Sequence, residues 1–387
     1  MNTAGAPLPG PAFGMVAGEA SGDLLGGLLL AGLRQRWPQS SAFGIGGPRL
    51  AAEGFDAWWP HEKLAVRGYV EVLRHYREIK AIRDALGARL VANPPDLFIG
   101  VDAPDFNLGL EARLRSAGIP AVHFVCPSIW AWRPGRVQSI ARSTDHVLCL
   151  FPFEPPLLSR HGIDATYVGH PLADTIPDEP PRGAARAALG LDPEVDVVAL
   201  LPGSRRSEIA AIAPTFLAAA ACLWRARPSL RFVLPVVPGL RPLVEPMVER
   251  HAAQVPVQLT DGRSHEALAA CDVTLIASGT ATLEAALFKR PMVIAYKMHP
   301  LSWQIMRRMQ LQPWVGLPNI LCGDFVVPER LQSAARPQQL ADDVLAWLDS
   351  PGRITAVQGR FRELHALLRR NTAQTATHAI EKILQHA

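Results

Sequence analysis

Short β-branched runs alternate along this chain with longer Ala-, Leu- and Arg-rich stretches of helical period. That alternation is the pattern of repeated βα units around parallel sheets, and it occurs twice. In the first half, strands are expected at Phe13–Ala17, Ala42–Ile45, Leu97–Val101, Ala121–Val125 and Val147–Leu150. In the second half they are expected at Val197–Leu201, Phe232–Leu234, Val257–Leu259, Val273–Ile276 and Met292–Ala295. The prolines and charges of Ile176–Arg182 (IPDEPPR) make a linker between the two sets. Beyond Pro337, apolar residues at Leu340, Val344, Leu345 and Leu348, then Phe361, Leu364, Leu367 and Leu368, repeat at helical spacing. The expected fold is α/β: two doubly wound, Rossmann-like domains facing across a cleft, residues 1–178 and 179–350. Helices in 351–387 are expected to strap them together.

Composition sharpens this picture. A chain of 387 residues, 49% hydrophobic and 19% charged, exceeds what one core usually supports. Its net charge of +4 is mild and its basic residues are scattered, which excludes a nucleic-acid footprint and favours small anions or a membrane surface. Five cysteines with no CxxC pair argue against a structural zinc site or a disulfide framework. The opening MNTAGAPLPGPAFG has no basic region followed by an apolar core, so a cytoplasmic protein is expected. No uninterrupted apolar run reaches the roughly 18 residues of a spanning helix.

Several common motifs are missing. Residues 17–23 read AGEASGD rather than a dinucleotide fingerprint, and there is no P-loop, no G-x-S-x-G, no H-E-x-x-H and no Asp-x-Asp pair. An enzyme that handles a diphosphate without that acidic pair must neutralise it with arginine and helix N-termini.

Ligands of open α/β sheets sit beyond the carboxyl ends of strands, and four loops there carry chemistry. In AGEASGD, Gly18 and Gly22 permit close backbone approach, Ser21 or Asp23 can cap the next helix, and Glu19 is an additional acid. A glycine turn with an N-cap accounts for the same residues. The loop DAPDFN follows Leu97–Val101 with two carboxylates, and buried acids are costly unless paired or functional. Asp102, nearest the strand, is the candidate general base for a sugar hydroxyl, with Asp105 and Asn107 as capping or orienting groups. In LPGSRRSE, Gly203 and Ser204 free backbone amides, and Arg205 or Arg206 adds charge; Arg205 is favoured for a leaving diphosphate. In ASGTATLEAAL, Ser278, Gly279 and Thr280 can cradle phosphate while Glu284 accepts two ribose hydroxyls. An ordinary capped helix also fits each of these last two loops.

Trp130 and Trp132 lie among basic residues in HFVCPSIWAWRPGR, suiting a sugar or phosphorylated ligand as well as a core. His170, in the Gly169-His170-Pro171 turn after Thr166–Val168, can touch ligand or cap that turn. Leu64–Ile82 reads as an amphipathic basic helix, and Lys297–Met309 raises the same question of membrane contact against ordinary packing.

Taken in order, AGEASGD, DAPDFN, PSIWAWR, FPFE, VGHP, LPGSR, ASGTATLE and GLPN resemble the lipid-A-disaccharide synthases over essentially the whole chain. That resemblance implies an inverting GT-B glycosyltransferase of family 19. It would transfer 2,3-diacylglucosamine from its UDP donor to 2,3-diacylglucosamine 1-phosphate, giving the β-1,6-linked disaccharide 1-phosphate and UDP. By the same resemblance the essential acid is Asp102 and the essential arginine Arg205. Gly203, Ser204, Ser278, Gly279, Thr280, Glu284 and Asn319 fall on the UDP side; Glu19, Ser21, Asp105, Asn107 and Trp130 fall on the acceptor side. No metal and no cofactor are implied. The implied setting is the cytoplasmic face of the inner membrane, held peripherally, with a homodimer left open. Arg67, His75, Tyr76 and Lys80 interrupt the apolar face of Val66–Ile82, favouring an electrostatic hold on anionic lipid. The rivals are another GT-B enzyme such as a UDP-N-acetylglucosamine 2-epimerase, which needs no acyl-chain surface, and a non-catalytic nucleotide-sugar or lipid-binding protein.

Overall fold

The computed structural model describes residues 10–64 and 69–386, so Val66 and Arg67 of the expected basic helix lie outside the described residues. The chain divides into two compact units, one running to Asp174 and including the tail from Leu368, the other spanning Thr175–Leu367.

The first unit is built on β1 (Ala12–Ala17), β2 (Ser41–Gly46), β3 (Asp56–Pro60), β4 (Leu97–Val101), β5 (Ala121–Phe124), β6 (His146–Cys149) and β7 (Ala165–Tyr167). These lie in the order β3-β2-β1-β4-β5-β6-β7, all parallel. β1 and β4 are buried throughout, apart from the first residue of β1. Helices cover both of their faces, which is why they read as continuous apolar runs. The second unit holds β8 (Val197–Leu201), β9 (Arg231–Val236), β10 (Val257–Asp261), β11 (Val273–Ala277), β12 (Met292–Tyr296) and β13 (Glu329–Leu331). Its order, β10-β9-β8-β11-β12-β13, repeats the same winding. In each unit the strand order reverses between neighbours, at β1/β4 and at β8/β11, and these reversals are where doubly wound sheets hold ligands.

The expected boundaries fell at 178 and 350, with one strap beyond. In the structure the tail is divided: Pro351–Leu368 belongs almost wholly to the second unit and Thr372–His386 to the first. The last helix returns to Ala20–Arg36, where a Cβ at Gly32 would come within 2.7 Å of the Ala373 Cβ. Only glycine admits that approach.

Among the described residues one helix, Arg206–Ala226, is long and apolar enough to cross a membrane, by length and composition alone. It packs against Arg241–Ala252 and Pro337–Leu348 within the second unit, with Leu217, Ala220 and Leu223 buried, and it starts at the loop after β8. That is the placement of a core helix.

Candidate functional site

All four loops singled out above stand at the two strand-order reversals. In the first unit Ala17 pairs with Val101, so the loops after β1 and β4 leave the sheet side by side. They touch: a Cβ at Gly18 would lie 3.3 Å from the Ala103 Cβ. The DAPDFN loop is bent by two successive left-handed residues, Asp102 (φ 50°) and Ala103 (φ 42°). Each costs about 1–2 kcal/mol in a non-glycine residue, so the surroundings must enforce the bend. Asp102 N donates to Phe124 O (2.9 Å). Asn107 Nδ2 donates to Asp102 O (2.8 Å) and lies 3.4 Å from Val16 O and Val101 O. Asn107 therefore orients the loop and is fully buried.

Asp105 has a different fate. Its side chain is 79% exposed and pairs with Arg136 and, at 3.7 Å, with Arg133. An exposed, ion-paired acid in the first turn of Pro104–Ser116 supports the helix dipole rather than proton transfer. Glu19 is the N-cap residue of Ala20–Arg36 and makes no side-chain cap bond. Ser21 lies half-buried in that first turn. Asp23 does not cap its own helix: its carboxylate accepts from Gly47 N (2.7 Å), Arg49 N (2.9 Å) and Leu50 N (3.2 Å), fixing the loop after β2.

Trp130 donates from its indole to Glu154 Oε1 (3.0 Å) and meets Phe151 and Phe153 edge-on. Glu154, the last residue of FPFE and given no role from the sequence, also accepts from Phe151 N (3.0 Å), and burial pushes its carboxyl up to about 8. Cys126 and Cys149 complete a buried group with Glu154 in which ligand-type atoms lie within 4.8 Å of one another. Burial also pushes the Cys149 thiol up.

His170 is a cap, one of the two readings open for it. Its Nδ1 accepts from Leu172 N (3.2 Å), and burial pushes the imidazole down to about 4. A native state that refuses the proton loses stability wherever the unfolded chain takes it, below the ordinary value near 6.5 and on toward 4. Between pH 7 and pH 5 the wild type should therefore lose about 2 kcal/mol relative to His170→Asn, whose side chain can keep the cap but does not titrate. Denaturant melts of both proteins at the two pH values measure the difference; a gap that does not change with pH contradicts a neutral buried His170.

In the second unit Gly203 has φ +111° and is the residue that lets Glu208 close over the loop; its Cβ would meet Glu208 Oε2 at 2.8 Å. Glu208 Oε2 lies 3.3 Å from Ser204 N and 3.4 Å from Arg205 N, while Oε1 pairs with Arg205 Nη1 at 2.6 Å. The expected anion site after β8 thus holds an internal carboxylate, which caps Arg206–Ala226 and poises the Arg205 guanidinium. The start of Thr280–Leu287 is different. Its N-cap, Gly279, has no side-chain cap, and Gly279 and Thr280 are exposed. Amides at an uncapped, exposed helix start are the kind that can accept an anion. Ser278 Oγ donates to Val315 O (3.1 Å), and Glu284 lies 3.3 Å from His265 Nε2.

Asn319 is fully buried and its hydrogen bonds are internal: Nδ2 donates to Val327 O (2.9 Å) and Glu329 Oε1 (2.8 Å), and Oδ1 accepts from Val327 N (3.0 Å). Glu329 accepts in turn from Val315 N (3.0 Å) and Gly316 N (2.9 Å), and burial raises its carboxyl pKa. Asn319 and Glu329 hold the 315–316 backbone against Ser278, so Asn319 acts on the loop rather than by a side-chain group of its own left open.

The lipid-A-disaccharide synthetase family matches residues 14–383. The chain belongs to that family. The lipid-A-disaccharide synthase of Albidiferax ferrireducens is 62% identical over 376 residues, covering 96% of this chain and 97% of that one. The Burkholderia thailandensis synthase is 56% identical over 372 residues, with 96% of each covered. Solved structures at much lower identity share the fold. A UDP-GlcNAc 2-epimerase from Neisseria meningitidis bound to UDP-GlcNAc superposes with TM-score 0.64 at 12% identity, over 97% of this chain and 100% of that one. Acinetobacter baumannii MurG gives 0.58 at 15%, over 96% and 99%. The expected two-domain GT-B architecture is borne out, and the epimerase rival rests on fold alone while the synthase relatives share most of their sequence. This member of the synthase family is a glycosyltransferase of lipid A biosynthesis.

Proposed function

We propose that the protein transfers 2,3-diacylglucosamine from UDP-2,3-diacylglucosamine to 2,3-diacylglucosamine 1-phosphate in a single displacement. Asp102 takes the proton of the acceptor 6-hydroxyl as that oxygen bonds the anomeric carbon. The bond from that carbon to the diphosphate breaks, the configuration inverts to β-1,6, and UDP leaves with the bonding pair. Arg205 and the open amides at Gly279 and Thr280 stabilise the departing diphosphate, and Glu284 accepts the ribose hydroxyls. The observation that supports this reading is what each unit carries at its own strand-order reversal: an acidic loop at β1/β4, and a cationic, amide-rich one at β8/β11.

Because arginine and helix amides neutralise the diphosphate in this scheme, no step draws on a metal. Mixing the protein with both diacylated sugars and weighing the products by mass spectrometry tests this, with and without EDTA. Disaccharide 1-phosphate is expected in both arms. Product that vanishes with EDTA overturns the metal-free mechanism, and an epimerised UDP-sugar without disaccharide establishes the rival activity.

Acylated substrates call for a lipid surface, and we set the work at the cytoplasmic face of the inner membrane with peripheral contact. The helix Pro300–Met309 supports this, exposing Ile305 and Met306 next in sequence to the exposed Arg307 and Arg308, with Leu311 and Phe325 also exposed further along the chain. Apolar anchors rimmed by arginine suit an anionic lipid surface. Replacing Ile305 and Met306 together by serine should lower co-sedimentation with phosphatidylglycerol vesicles; unchanged partition would remove this helix from the membrane contact.

A further inference from the structure

Beneath the DAPDFN loop lies a buried polar pair that the mechanism above does not use. Glu111, on Pro104–Ser116, and His123, in β5, are both fully buried, with Glu111 Oε1 2.7 Å from His123 Nδ1. Burial raises the Glu111 carboxyl pKa, opposed by the nearby imidazole. Such a pair is weak support for stability, because desolvating the two groups offsets much of their attraction. Its position is more informative.

Both residues converge on Gly100, the penultimate residue of β4. His123 is the register partner of Gly100 across the sheet. A Cβ at Gly100 would stand 2.0 Å from Glu111 Oε1, 3.0 Å from Asn107 Cβ and 3.1 Å from Asn107 Cγ. The bare glycine therefore leaves a pocket in which the Glu111 carboxylate and the Asn107 amide close on the same point. Asn107 and Glu111 are one turn apart on one helix face, where side chains four apart meet. From there the Asn107 amide reaches the Asp102 carbonyl at 2.8 Å, and Asp102 and Ala103 are the two left-handed residues of the loop.

We propose that Glu111 and His123 are positioning residues for the transfer reaction: their buried bond, seated on Gly100, fixes the Asn107 amide that carries the Asp102 peptide and so sets where the Asp102 carboxylate stands. This deepens the reading of Asp102 as the base and rests on it. Small displacements of a reacting group are costly to turnover, whereas UDP held by the second unit is untouched by them.

The test is steady-state kinetics of Glu111→Ala and Glu111→Gln, at a temperature well below each variant's Tm, with Asp102→Asn alongside. Glu111→Ala should lower kcat by about 10- to 100-fold and leave the KM of both substrates within about 2-fold of wild type. Glu111→Gln, which keeps an acceptor for His123, should recover most of that turnover. Wild-type kcat in folded Glu111→Ala, or a rise in KM at constant kcat, overturns the positioning role. If Glu111→Ala does not fold, His123→Asn opens the same bond from the other side and is judged by the same criterion. The failures are distinguishable: an inactive Asp102→Asn beside a fully active Glu111→Ala overturns only the positioning, while an active Asp102→Asn overturns the base.

Discussion

Asp102→Asn should fold normally, bind UDP as tightly as the wild type, and turn over roughly 1,000-fold more slowly. General-base catalysis contributes about 10²–10⁴-fold, and each decade is about 1.4 kcal/mol of barrier. Asparagine suits this experiment for a structural reason. Position 102 has φ 50°, and asparagine is among the few side chains that tolerate the left-handed region. The backbone bonds that hold the loop, from Asp102 N to Phe124 O and from Asn107 Nδ2 to Asp102 O, do not involve the carboxylate. The variant therefore removes the proton acceptor and leaves the bend. Asp105→Asn is the control: an exposed acid paired with Arg136 and Arg133 should cost less than about 3-fold, within the worth of a surface ion pair. Glu19→Gln separates the remaining acid of the neighbouring loop. Near-normal turnover in Asp102→Asn, with loss in Glu19→Gln, would move the base to Glu19.

The contrast among these acids was only partly legible in the sequence. The strands and the loops that follow them could be read because buried parallel strands are continuous apolar runs; β4 and β8 were placed to the residue. β3 was missed because its residues are exposed or half-buried at a sheet edge, leaving no apolar run to see. β13 spans three residues, too few for a period. The tail's helical spacing was clear, but a helix's apolar stripe does not say which surface it covers. The close approach of Ala373 to Gly32 is a fact of tertiary structure, and it brings the last helix back to the first unit.

The site residues divide in the same way. Asp102, Arg205 and Ser278–Thr280 follow directly from strand ends and could be named. Glu329 and the Glu111–His123 pair act on groups that folding brings to them, so no local motif marks them, whereas Glu208 and Glu154 bond backbone three or four residues away and their signal, an acid in the first helical turn, was local. The one local hint was Gly100 inside an otherwise bulky strand, a position where glycine signals close approach by something else. Asn319 shows the converse. Its motif placed it on the nucleotide side, yet every hydrogen of its amide is committed to Val327 O and Glu329 Oε1, so it acts by holding backbone.

Arg205→Ala should weaken UDP binding by about 10- to 100-fold, the loss of one charge-assisted contact worth about 1.5–3 kcal/mol, and should lower kcat as well because the diphosphate is the leaving group. The fold should tolerate the change. Arg205 is a third exposed, and Glu208 Oε2 stays within reach of the Ser204 and Arg205 backbone amides whatever the side chain at 205. Glu208 makes the experiment sharper. Its carboxylate occupies the guanidinium and the helix-start amides that a phosphate would want, so donor binding must compete with an internal anion. Glu208→Gln removes that negative charge while keeping an oxygen to accept the amides, and its UDP affinity should equal or exceed that of the wild type. Calorimetric titration of UDP into the wild type and both variants gives the ordering Glu208→Gln tighter than or equal to wild type, and both tighter than Arg205→Ala. Equal affinity in Arg205→Ala and the wild type would leave the diphosphate to the Gly279 and Thr280 amides alone.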